Sequence, residues 1–125
     1  MKVLVAIIMI LNAALFLFGA LQHIGVALGP FHEPRIIPAA IVETICCLAL
    51  LSGAALLVGH SALGWRAAVI GNFIALAGVV LGIVALAVGA GPRTASNDLY
   101  HRIMLVLIAA SLVILFSARP AVSRR

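Results

Sequence analysis

Four long apolar runs, each carrying only a few polar residues, set the pattern of this chain: residues 3–21, 36–59, 67–91 and 99–118. A helix needs about 20 mainly apolar residues to cross a hydrocarbon core roughly 30 Å thick, and each run supplies that length or close to it. Asn12 interrupts the first run and Asn72 the third, while the second contains Pro38, Glu43, Thr44 and Ser52. In the fourth, Leu99 and Tyr100 extend a shorter apolar stretch upstream. None of the runs alternates apolar and polar residues as a membrane strand would. The pattern therefore predicts an all-α protein, an integral membrane four-helix bundle filling one domain over residues 1–125. Gly29-Pro30, Glu33-Pro34, the 59–64 segment and Gly91-Pro92 supply the breaks between helices. Ser96 is the expected N-cap of the fourth helix, with Asp98 in its first turn facing the positive helix end. The first run exceeds the 7–15 apolar residues of a signal core and is expected to remain as a span.

Composition narrows the class. Hydrophobic residues make up 66% of the 125 positions and charged residues 9%, with a mean hydropathy of +1.33. A soluble domain keeps about a quarter of its residues charged, so most of this surface is expected to meet lipid. The net charge of +5 does not indicate nucleic acid, because the basic residues lie between spans and at the tail, where they orient helices. Lys2, Arg66, Arg119, Arg124 and Arg125 fall on one side; Arg35, Arg93 and Arg102 fall on the other. That bias predicts both termini inside, N-in/C-in. The two cysteines, Cys46 and Cys47, are adjacent within an apolar run and imply no disulfide framework.

Helices in lipid are joined by close packing and interhelical hydrogen bonds. Gly71, Ala75, Gly78, Gly82, Ala85 and Gly89 recur at alternating spacings of four and three, which puts small residues along one face of the third span. This stripe is expected to pack inside the monomer, with a homo-oligomer seam as the alternative. Asn12 and Asn72 are expected to face the bundle and join helices, since a bare amide in hydrocarbon is costly.

The remaining polar residues gather on the outer side of this topology. His23, His32, His101, Glu33, Arg35, Asp98 and Arg102 all map there, and Glu43 lies about two turns into the second span from the same side. Asn12, Phe16, Gly19 and His23 share one stripe of the first helix, and Asp98 has His101 and Arg102 as helical neighbours. The outer half is thus expected to hold a polar cavity. Glu43, the one acid inside an apolar span, is its leading functional candidate, with a structural lock between helices as the competing role. Burial is expected to favour the neutral form of Glu43 unless Arg35, Arg102 or a histidine pairs with it. Cys46 and Cys47 read as packing residues. Tyr100 and Trp65 read as interfacial anchors, and His60 as a solvated loop residue. His23, His32, His101, Glu43 and Met104 show no metal-ligand spacing, which argues against a metal or haem. Soluble-enzyme signatures such as the P-loop and the nucleophile elbow are absent.

Residues 14–23 (ALFLFGALQH) and 42–53 (VETICCLALLSG) resemble the DoxX-like family of small bacterial four-helix membrane proteins. The resemblance implies a bacterial inner-membrane location and an association with redox or sulfur metabolism, with roles for Glu43 and His23. Three functions are open at this point. The first is an accessory subunit of a redox-associated complex, with other membrane or soluble redox subunits as partners and an outer face contacting quinone. The second is a small proton-coupled transporter using Glu43. The third is a membrane enzyme acting on a lipid-soluble substrate through Glu43, His23 and His101.

Overall fold

The computed structural model describes residues 1–29, 33–59, 62–91 and 93–117. They form four helices: α1 (Lys2–His23), α2 (Ile37–Val58), α3 (Gly64–Ala87) and α4 (Ala95–Ser117). All four are long and apolar enough to cross a membrane. Large exposed hydrophobics, among them Leu11, Ile41, Leu48, Ile70, Val106 and Val113, cover the outside of the bundle. A surface of this kind suits lipid, and the chain is a multi-pass membrane protein of four helices.

The helix boundaries follow local chemistry. α1 and α3 run in the same direction and end in the same way. At the end of α1, Gly25 (φ +99°) lets Val26 N–H reach Leu21 O at 3.0 Å and Gly25 N–H reach Gln22 O at 2.8 Å. At the end of α3, Gly89 (φ +74°) allows the equivalent pair, Ala90 N–H to Ala85 O at 2.8 Å and Gly89 N–H to Leu86 O at 3.2 Å. Each is a Schellman motif that satisfies carbonyls left over by the helix. α3 therefore stops before the residue 91 expected from hydropathy. α2 opens with Pro38 in its first turn, where a fixed φ and a missing N–H cost nothing. α4 begins two residues before the start that a Ser96 cap implies. Its capping side chain is Thr94, whose Oγ1 accepts from Asn97 N–H at 3.1 Å, and not Ser96. Asp98 does lie in the first turn.

The helices form a ring in which α2 packs closely on both α1 and α3, and α4 closes the ring more loosely against α3 and α1. Glycines set the tight α2–α3 contact. A β-carbon on Gly71 would lie 2.6 Å from Ala49 O, and one on Gly53 would lie 2.9 Å from Ala67 O. Ala75 is fully buried on the same face. Further along, Gly78 faces the Cys46 sulfur and Val42, and Gly82 faces the His101 ring. The small-residue stripe of α3 is thus used against α2 at Gly71 and Gly78 and against α4 at Gly82, while Ala85 lines a cavity and Gly89 meets no neighbour.

We call the end bearing Lys2 and Trp65 proximal, and the end bearing His23 and Asp98 distal. Proximally, Trp65 Nε1 donates to Leu115 O at 3.4 Å and its ring meets Phe116 edge-on. The hydrophobic core runs from Val5, Leu57 and Leu115 at that end up to Phe16, Cys46 and Met104, with Asn12, Asn72 and Ser111 buried within it. His60 and the arginines at 119, 124 and 125 lie outside the described residues.

Candidate ligand-binding site

Past Gly78, α2 and α3 no longer touch closely, and a cavity of about 410 Å³ occupies the distal half of the bundle. Its walls are mainly apolar: Phe16 from α1, Ile36, Ala39 and Val42 from or beside α2, and Val79, Ala85 and Leu86 from α3. Its polar groups are few and come together on one side. They are His23, Glu43, Asn97, Tyr100 and His101. A mostly apolar cavity of this size with a few converging polar groups matches the usual form of a small-molecule site.

The central feature is a buried pair. His23 Nδ1 and Glu43 Oε2 are 2.8 Å apart and share a hydrogen bond. Only 4% of His23 and 6% of Glu43 are exposed. The sequence brings them together through two helical turns. His23 ends the α1 stripe that includes Phe16 and Gly19, and Glu43 sits on the α2 face that also carries Ala40, Cys46, Cys47 and Leu50. Ile36 N–H donates to His23 O at 2.9 Å, tying the start of α2 to the end of α1. The pair has two net-neutral forms, imidazolium with carboxylate and imidazole with carboxylic acid. They differ only in where one proton lies along the 2.8 Å contact. A net-neutral pair is the form that a low-dielectric site tolerates best.

Gly19 makes the space that this pair occupies. A β-carbon there would run into Glu43 Oε1, and would lie 2.8 Å from the Tyr100 hydroxyl and 2.9 Å from Glu43 Cδ. Tyr100 donates to Leu15 O at 3.3 Å and stands edge-on to His101, with ring centroids 5.3 Å apart. It is therefore part of the cavity wall and not an interfacial anchor. His101 Nδ1 lies 2.8 Å from Asn97 O, and the far edge of its ring rests on Gly82.

The distal border of the cavity, its roof, is formed by Ile36, Ala90 and Gly91. Gly91 lies against Ile36 Cδ1, with a β-carbon there 3.8 Å away. Just beyond, the Glu33 carboxylate accepts from Thr94 Oγ1 at 2.9 and 3.1 Å and from Ser96 Oγ at 2.5 Å. These bonds join the α1–α2 connector to the start of α4. Sideways the cavity is open. Pro38 on α2 and Leu81 on α3 both line it and both face outward, Leu81 with 56% of its surface exposed. The opening is thus a gap between α2 and α3 on the lipid-facing surface.

No family model, no curated protein and no solved structure matches this chain.

The other candidates lie around this site. Asp98 and Arg102 line a separate hollow of about 150 Å³ beside His101, where Arg93 Nε donates to Asp98 at 3.1 Å. Arg35 and Arg102 are exposed, and neither partners Glu43; the histidine does. His32 lies outside the described residues. Among the described residues no three His, Cys, Asp or Glu side chains converge as metal ligands. Cys46 and Cys47 are buried thiols, with Cys46 Sγ 3.7 Å from Ile74 O. Three contributors escaped the sequence reading: Tyr100, Asn97 and Gly19 as the spacer. Tyr100 and Asn97 precede His101 by one and four positions, and Asn97 shares its helix face.

Proposed function

We propose that this membrane protein binds a lipid-soluble molecule with a hydrogen-bonding head, of which a quinone is the type, in the distal cavity. One observation carries the proposal: the buried His23–Glu43 pair forms the polar wall of an otherwise apolar cavity that opens toward lipid. An apolar ring and tail suit the walls, and a carbonyl or hydroxyl head suits the pair. His23 and Glu43 supply a proton donor and acceptor at the head; Tyr100 and His101 border the same space. The reading fits an accessory subunit of a redox-associated membrane complex that holds such a molecule for other redox subunits. The resemblance of residues 14–23 and 42–53 to the DoxX-like family supports that role and a bacterial inner membrane as its setting. A proton-coupled carrier using Glu43 has less support, because among the described residues the buried polar groups proximal to the pair are Asn12, Asn72 and Ser111, none of which ionises, set among apolar side chains such as Leu50, Ala54, Leu57 and Val5.

The test is photolabelling of the protein in lipid nanodiscs with an azido-quinone, with decylubiquinone as competitor. Labelling is expected on the distal halves of α2 or α3, and competitor should suppress it. Glu43→Leu removes a hydrogen bond to a charge-bearing partner and is expected to weaken binding about 10- to 100-fold. A wild-type protein that takes no label above the level of bulk lipid would refute the proposal.

A further inference from the structure

Two helical turns proximal to Glu43, the bundle buries a second set of polar groups that the distal cavity does not use. Asn12, Asn72 and Ser111 are each 0% exposed. Both polar atoms of Asn12, the oxygen of Asn72 and the hydroxyl of Ser111 have no hydrogen-bonding partner among the described residues. Asn72 Nδ2 donates to Ala68 O at 2.8 Å, so its oxygen is the end left over.

The three residues lie at nearly one level. Met9 Cε and Ala68 Cα both pack against Gly53, which places Met9 and Ala68 side by side. α1 and α3 run in the same direction. Asn12, three residues past Met9, and Asn72, four residues past Ala68, therefore sit about one turn further along together. On α4, the Trp65–Leu115 bond sets the alignment with α3. Ser111, one turn from Leu115, comes within about one turn of Asn72. α1 and α3 face each other across the bundle axis without close backbone packing, so room between them falls to side chains.

We infer that Asn12, Asn72 and Ser111 hold internal water at the bundle axis, linking α1, α3 and α4. The chemistry of the unpartnered atoms selects the ligand. They include a donor (Asn12 Nδ2), acceptors (Asn12 Oδ1 and Asn72 Oδ1) and a hydroxyl that serves as either. Water donates to the oxygens and accepts from the amide nitrogen. A bare cation would satisfy only the oxygens and would meet the positive end of Asn12 Nδ2. Among the described residues no charged side chain shares this level of the core. Apolar layers close the site on both sides, Phe16, Cys46 and Met104 distally and Val5, Leu57 and Leu115 proximally. The water is therefore a sealed structural ligand and not a segment of a continuous conduit. Buried waters of this kind bridge two to four otherwise unsatisfied polar groups.

The inference is independent of what the distal cavity binds, and its test needs no ligand. In nanodiscs, with asparagine side-chain nitrogens labelled, the Asn12 amide protons are expected to show cross-relaxation with a long-lived water. A direct Asn12–Asn72 amide contact with no water cross-peak would overturn the inference. Thermal unfolding gives a second readout. Asn12→Leu is expected to melt several degrees below wild type, because it removes the water's main partner and strands Asn72 and Ser111. A higher melting temperature would mean that the amide had been an uncompensated cost, and would also overturn it. Ser111→Ala, the smaller change, is expected to shift melting in the same direction and to weaken the Asn12 water cross-peak; an unchanged cross-peak and melting temperature would remove Ser111 from the site.

Discussion

At the scale of single residues, the distal site depends as much on the absence of a side chain as on the groups that are present. Gly19 leaves room for the Glu43 carboxylate and the Tyr100 hydroxyl, and Gly82 leaves room for the His101 ring. Gly19→Ala is expected to push Glu43 off His23 and to lower quinone-probe labelling by at least tenfold, while the helices still form. Retained labelling in a folded Gly19→Ala protein would mean that the pair tolerates displacement. Gly82→Ala acts on His101, and comparing the two variants separates the contribution of the Glu43–Tyr100 side of the site from that of His101. Glu43 was legible in the sequence because an acid in an apolar span is conspicuous. Its choice of partner was not. Arg35, Arg102, His23, His32 and His101 all map to the same end, and only the register of α1 against α2 selects His23. Tyr100 was misread for a related reason: a tyrosine near a helix end looks like an anchor until the rotation of α4 turns it inward.

At the scale of elements, hydropathy located all four helices but misplaced their ends by a few residues. The corrections came from backbone chemistry: Gly89 terminates α3 where the apolar run alone would continue, and α1 runs two residues past its apolar run before the turn at Gly25 ends it. The cap of α4 is Thr94 and not Ser96, and both hydroxyls also donate to Glu33, a contact between distant connectors that no local pattern encodes. The glycine stripe of α3 was readable as a packing face, whereas its division between α2 and α4 required the ring arrangement. That division has measurable consequences. Gly71→Ala sets a methyl against the α2 backbone at Ala49, which cannot swing away as a side chain would. Such overpacking is expected to destabilise by about 1–3 kcal/mol. Melting in detergent or nanodiscs would measure it, and an unchanged midpoint would show that α2 and α3 shift apart at little cost.

At the scale of the whole molecule, the roof and the side opening together determine how a ligand arrives. The Glu33–Thr94–Ser96 bonds join the connectors just beyond the roof, and the gap by Pro38 and Leu81 faces lipid. A ligand dissolved in the bilayer is therefore expected to enter between α2 and α3. Ala39→Trp, which fills that gap, should slow quinone association at least tenfold. Joining Glu33→Cys to Ser96→Cys with a short bifunctional thiol linker should leave association unchanged. The opposite pattern, with the roof lock slowing entry and Ala39→Trp having no effect, would move the entrance to the distal end.

The loose seating of α4 has a mechanical consequence. A bundle whose last helix is held less tightly than the first three should yield to force in that order. Pulled from its C-terminus in a single-molecule experiment, the chain should release α4 as a separate early step and leave α1–α3 standing. Tyr100 and His101 would leave with it, so the force at that first step is expected to rise when a quinone analogue occupies the cavity and bridges α4 to the remaining helices.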